Sequence, residues 1–268
     1  MLGRRERALG RRAFSECVLL SAAALVTQTW TRRAKGFGQE GGFNPRLLGT
    51  SGTPPLDPER ESGLSRWAWE LVRRTSAPAQ LITEHIAVDD PKLENEPFAV
   101  WAGSHAVKPL LGTERRALRR FLDLGGVLFV DDGDPGRGEF GQSARAELAR
   151  VLPEVPIAVL PEQHVIYKSY YLVERPVGRV LGPTSMEAMV RGRQVQVLFS
   201  SHDLLGALAH GSGETFSLPM EGENEAEMRQ RAIRLAVNIA MYVLCSDYKD
   251  DQVHAEELMR RRGRAHSR

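Results

Sequence analysis

Cysteine is nearly absent from this chain. Its 268 residues contain only Cys17 and Cys245. Cys17 falls in an N-terminal leader, so the remaining domain cannot close an internal disulfide, which excludes thiol–disulfide chemistry. Long apolar runs are lacking as well. The longest N-terminal one, Val18 to Val26, falls far short of the roughly 20 residues that span a bilayer. There is no glycine-rich phosphate loop followed by Lys-Ser or Lys-Thr, no dinucleotide fingerprint and no Cys/His metal spacing. A Gly-x-Ser-x-Gly nucleophile elbow is missing too.

Charge of one sign is scarce: 36 Lys and Arg face 34 Asp and Glu, a net +2. The balance is uneven along the chain. Residues 1–35 hold eight of the basic residues against only Glu6 and Glu16, leaving 28 basic and 32 acidic residues, net −4, in the rest. A mildly acidic body gives no electrostatic reason to expect nucleic acid as a partner.

What is present begins with that leader. Arg11-Arg12-Ala13-Phe14 precedes the weakly apolar, alanine-rich run, and Arg32 and Arg33 flank its far side. The pattern resembles a twin-arginine export signal, which implies a periplasmic or cell-envelope location, with membrane contact only through the leader. No clean Ala-x-Ala site is visible near Ala34, so cleaved signal and uncleaved anchor both stay open. A disordered basic leader on a cytoplasmic protein is the alternative. Residues 36–42, GFGQEGG, read as a flexible joint.

With 42% hydrophobic residues, the remainder can bury the core of one medium-sized domain. Residues 43–246 alternate short β-prone runs with amphipathic stretches, which predicts a single α/β domain with a mainly parallel central sheet. The expected strands are 43–48, 81–88, 98–101, 127–130, 157–160 and the aromatic run 164–173. The expected helices are 60–74, 114–124, 142–151 and 223–244. Met186–Arg191 and Gln194–Ser200 around Gly192 predict a late antiparallel hairpin. Residues 247–268 form a charged tail, a frayed helix or disorder.

Leu118 to Pro135, LRRFLDLGGVLFVDDGDP, is the most informative stretch. A helix closed by Gly125-Gly126 runs into a short buried strand, and an acidic turn follows. Open α/β sheets keep their ligand sites past the carboxyl ends of strands, which places Asp131, Asp132 and Asp134 at a candidate site. Three carboxylates so close need a cation, a basic group or water, so a divalent metal on Asp131, Asp132 and Asp134 is one expectation. Solvated or loop-capping aspartates are the other. His164 stands beside an aromatic strand, and His202-Asp203 follows the strand ending at Ser200. Adjacent residues point opposite ways in a strand, so His202 and Asp203 are not expected to pair with each other.

Several segments together resemble one family. They are FAVWAGSH (Phe98 to His105), LRRFLDLGGVLFVDD (Leu118 to Asp132), HVIY (His164 to Tyr167), Gly192-Arg193, Ser200 to Leu204 and Val237-Asn238-Ile239. The family is the bacterial domain of unknown function numbered 4159, and the resemblance covers roughly residues 43–244. It implies a class I glutamine amidotransferase-like domain, a three-layer flavodoxin-like α/β sandwich. Working amidotransferases carry a nucleophilic cysteine in the turn after the strand that corresponds to Val127–Val130. Here that turn is Asp131-Asp132, and a carboxylate cannot replace a thiolate in glutamine hydrolysis. Val165 also departs from the family's proline after the histidine.

The leading expectation is therefore an exported ligand-binding domain without glutaminase chemistry. Its site would gather Asp131, Asp132, His164, His202 and Asp203, with Trp101, Tyr167 and Tyr170 suited to a carbohydrate-like small molecule. The alternatives are a metal- or aspartate-assisted hydrolase and an interaction module of an envelope complex that uses its tail.

Overall fold

The computed structural model describes residues 42–211 and 215–265, with side chains to residue 246. The expected leader of residues 1–35 and nearly all of the joint lie outside the described residues. Arg46–Gly49 forms strand β1, followed by helix α1, Pro58–Thr75. Asp57 caps α1 by accepting from the Arg60 N–H at 3.0 Å, and Pro58 occupies a first-turn position where no N–H is needed. Leu64, Trp67, Ala68 and Leu71 make its buried stripe. Strand β2 is His85–Ala87 and β3 is Phe98–Gly103. Helix α2, Gly112–Asp123, leads through Gly125 (φ 99°) into β4, Val127–Asp132. Helix α3 is Glu139–Val151, and β5 is Ile157–Val159. The expected hairpin is present as β6, Glu187–Arg191, and β7, Gln194–Ser200.

The sheet order is β2-β1-β3-β4-β7-β6-β5. The first five strands in this order run parallel, β6 is added antiparallel on β7, and β5 pairs antiparallel with β6, so it runs in the direction of the parallel set. The chain starts at β1, moves outward to β2, then crosses back to β3. The order therefore reverses between β1 and β3, as in flavodoxin-like doubly wound sheets.

Strand alternation distributes the core. Phe98, Val100, Val127 and Phe129 face the layer containing α1, whereas Ala99, Trp101, Leu128 and Val130 face α2 and α3. Trp67 fills the first layer. Its ring lies 5.3 Å from Phe129 and 5.7 Å from Phe98, and its Nε1–H donates to the Ala236 carbonyl at 2.7 Å. Burying a side chain of this kind contributes roughly 1.5–3 kcal/mol from transfer alone.

The local structure departs from the expected elements in three places. The aromatic run 164–173 is not a strand but a 3-10 turn, Val165–Lys168, followed by irregular chain. Its backbone donors find side chains instead of a ladder. His164 Nδ1 accepts from the Ile166 N–H, and Asn238 Oδ1 accepts from those of Tyr170 and Tyr171. A short helix, α4, Leu204–Leu208, appears where no element was expected. The last helix, α5, spans Glu225–Ala265 and so takes in most of the tail. Among the described residues no helix is long and apolar enough to cross a membrane.

Candidate functional site

Asp131 and Asp132 do not lie beyond β4; they are its last two residues, and strand alternation sends their side chains to opposite layers. Asp131 turns toward α4. Its Oδ1 and Oδ2 accept from the Leu204 and Leu205 N–H groups at 3.0 and 2.8 Å, the unpaired donors of that helix's first turn. Asp132 turns toward α3 and accepts from the Asp134 and Gly141 N–H groups, both at 3.1 Å. A Cβ on Gly141 would stand 2.5 Å from Asp132 Oδ2, so this close approach requires glycine. The three aspartates thus do not converge. Among the described residues no group of three or more His, Cys, Asp or Glu could hold a metal ion.

Asp203 is brought to Asp131 through α4. It caps that helix from a left-handed backbone (φ 52°), where its Oδ1 accepts from the Gly206 N–H at 3.0 Å. A left-handed non-glycine residue costs roughly 1–2 kcal/mol, and its ion pairs offset that. Arg60 grips it with two nitrogens, Nε to Oδ1 at 2.9 Å and Nη2 to Oδ2 at 3.0 Å, and Arg179 Nε donates to Oδ2 as well. Arg60 also donates to Asp57 and to the Gly133 carbonyl. One guanidinium therefore ties the start of α1, the end of β4 and the start of α4 together. Burial, and then the Asp203 charge, push the Asp131 carboxyl up to about 7, against the opposing backbone donors of Leu205 and Leu204. Asp132 is also pushed up, by burial first.

The remaining expected residues are committed elsewhere. Trp101 is buried, with Nε1–H donating to Thr53 Oγ1 at 2.9 Å. Tyr167 is buried, and its hydroxyl accepts from the Met186 N–H at 2.9 Å. His164 caps the 3-10 turn, with its ring 6.0 Å from that of Tyr242 on α5, and burial lowers its pKa. Tyr170 donates to the Arg74 carbonyl. His202 lies at the end of β7 with Nε2 2.9 Å from the Pro183 carbonyl.

The largest cavity described, about 560 Å³, opens instead at the carboxyl ends of β1, β2 and β3. That is the point where the strand order reverses, the place where doubly wound sheets take ligands. Leu48, Ala87, Ala102, Leu56 and Leu111 give it apolar walls. The loop from Thr50 to Leu56 closes one side. Thr50 and Thr53 share a hydrogen bond of 2.6 Å, and Glu114 of α2 holds the loop by accepting from the Ser51 N–H at 2.6 Å. The polar rim adds Glu61, paired to His85 Nε2 at 2.8 Å, and Asp89. Among the described residues no Lys or Arg lines it, and His85 is the only basic side chain there.

Arg60, Arg179 and this rim were not singled out from the sequence. The available signal was positional: the chain leaving β1 is Gly-Thr-Ser-Gly-Thr-Pro-Pro, a loop at the first strand end before a helix. The profile of the family described as Domain of unknown function (DUF4159) matches residues 50–244, a span that includes nearly the whole sheet and the cavity loop. No curated protein matches the chain.

Proposed function

The chain belongs to the DUF4159 family, and within that fold we propose that it binds a small organic molecule, carbohydrate-like or amine-bearing, between β1 and β3. The observation that carries this reading is the cavity of about 560 Å³, within the size range of ligand sites and at the strand-order reversal. Its rim carboxylates, Glu61 and Asp89, disfavour phosphates and nucleotides. Carboxylates accept from hydroxyls or ammonium groups, and the apolar walls cover a carbon skeleton.

The likeness to class I amidotransferases belongs to the same proposal as a likeness of scaffold. The strand end that would present the nucleophile holds Asp131, whose oxygens are occupied by α4. That supports a structural part for this strand end. The twin-arginine pattern supports export to the cell envelope. A reporter fused after residue 42 should leave the cytoplasm, and replacing Arg11 and Arg12 by Lys should retain it.

The binding claim is tested by a thermal-shift screen of monosaccharides, polyols and polyamines against nucleotides and inorganic phosphate. Stabilisation by a member of the first group alone supports the reading. Stabilisation by nucleotides or phosphate instead, or by nothing in the panel, overturns it.

A further inference from the structure

Two carboxylates border the cavity between β1 and β3 with oxygens to spare. Glu61, in the first turn of α1, has a side chain 32% exposed. Its Oε1 meets His85 at the start of β2, which leaves Oε2 open. Asp89 stands beyond the other end of β2. It is exposed and makes no hydrogen bond or ion pair among the described residues. From His85 to Asp89 the chain covers at most about 13 Å. The two charges are therefore not one cluster but two points on one rim, within reach of a single small molecule.

The lining does not balance this charge. A third carboxylate, Glu114, is 3% exposed under the loop, with both oxygens taken by the Ser51 and Leu111 N–H groups. Against these three stands His85 alone among the described lining residues. Like charges around one concave surface add to its negative potential and favour a cation inside. Much of the accessible wall is apolar: Pro54, Pro55, Ala87 and Leu111, the last 56% exposed. A sugar ring against such walls leaves hydroxyls unpaired, which costs free energy, whereas methylene groups gain by leaving water there. Granting that the cavity is a binding site, as read above, we propose that its occupant is a linear aliphatic diamine. One ammonium pairs with Asp89, the other with Glu61, and the methylene chain lies along the apolar wall.

The test is calorimetric titration of the full chain with α,ω-diaminopentane, pentylamine and pentanol, which share one carbon chain and carry two, one and no ammonium groups. The diamine should bind about five- to tenfold more tightly than pentylamine, and pentanol more weakly than both. Asp89→Asn changes an exposed side chain and should bring the diamine down to the affinity of pentylamine for wild type. Pentylamine, which keeps Glu61, should lose at most about twofold in that variant. Equal affinity of diamine and pentanol, an undiminished diamine affinity in Asp89→Asn, or no diamine binding where a neutral sugar binds would overturn the diamine assignment alone. Diamine binding that survives Ala87→Trp, which fills the cavity, or no binding by any of these probes or by a sugar, would overturn the cavity reading with it.

Discussion

Asp203→Asn isolates the charge at the junction of α1, β4 and α4. Asparagine tolerates the left-handed backbone and keeps an oxygen for the Gly206 N–H, so the main change is loss of the negative charge facing Arg60 and Arg179. Removing one partner of a buried ion pair costs about 3–5 kcal/mol. The two arginine side chains are 17% and 19% exposed, and Arg60 keeps Asp57 and the Gly133 carbonyl, which lowers the expected cost to about 2–3 kcal/mol. The sign of its pH dependence follows from Asp131. At pH 5 Asp131 is protonated in the folded state and gains nothing from losing its charged neighbour. At pH 8 it is ionised, and removal of the Asp203 charge relieves a repulsion. The destabilisation should therefore be smaller at pH 8 than at pH 5. Urea unfolding followed by far-UV circular dichroism reads this as a midpoint lowered by about 1 M with an unchanged slope. A loss under 0.5 kcal/mol, or a larger loss at pH 8, refutes the argument.

Asp131 supplies a second pH signature. Its folded pKa lies above the unfolded value of 3.8, so the stability it contributes is fully present below about pH 4 and is lost as pH rises to about 7, by up to about 4 kcal/mol. Asp131→Asn should remove that descending component from a stability-against-pH curve. Gly141→Ala drives a Cβ to 2.5 Å from Asp132 Oδ2 and 2.7 Å from Arg145 Nη1, and thermal unfolding should show a loss of about 1–3 kcal/mol. Thr53→Val leaves the buried Trp101 Nε1–H without its partner. It should cost about 1–3 kcal/mol and alter the near-UV tryptophan signal.

The α/β class, the parallel sheet and the late hairpin were legible because buried strands such as Val127–Val130 and stripes such as Leu64–Trp67–Leu71 carry their period in composition. The 164–173 segment misled because aromatic, β-prone residues also pack as loops when a distant side chain, here Asn238, takes their backbone donors. Helix α4 was hidden for a related reason: its first-turn donors are met by Asp131, about 73 positions earlier in the chain. Asp131, Asp132 and Asp203 stood out as acidic residues at strand ends, which is where they lie. Their chemistry was not legible, because only the pleat shows that Asp131 and Asp132 face opposite layers. The larger cavity depends on the order β2-β1-β3, a relation among strands that no single motif encodes.

Ala87 is exposed at the end of β2 and lines the larger cavity, so Ala87→Trp should fill the cavity without disturbing the core. The decisive measurement is the melting temperature of wild type and Ala87→Trp with the best carbohydrate-like or amine probe at about 100 times its Kd. Wild type should gain about 2.7 kcal/mol, a rise of roughly 5–10 °C for a domain of this size. The variant should melt where ligand-free wild type does and gain nothing. A variant that keeps the full ligand-induced rise would contradict a binding site between β1 and β3.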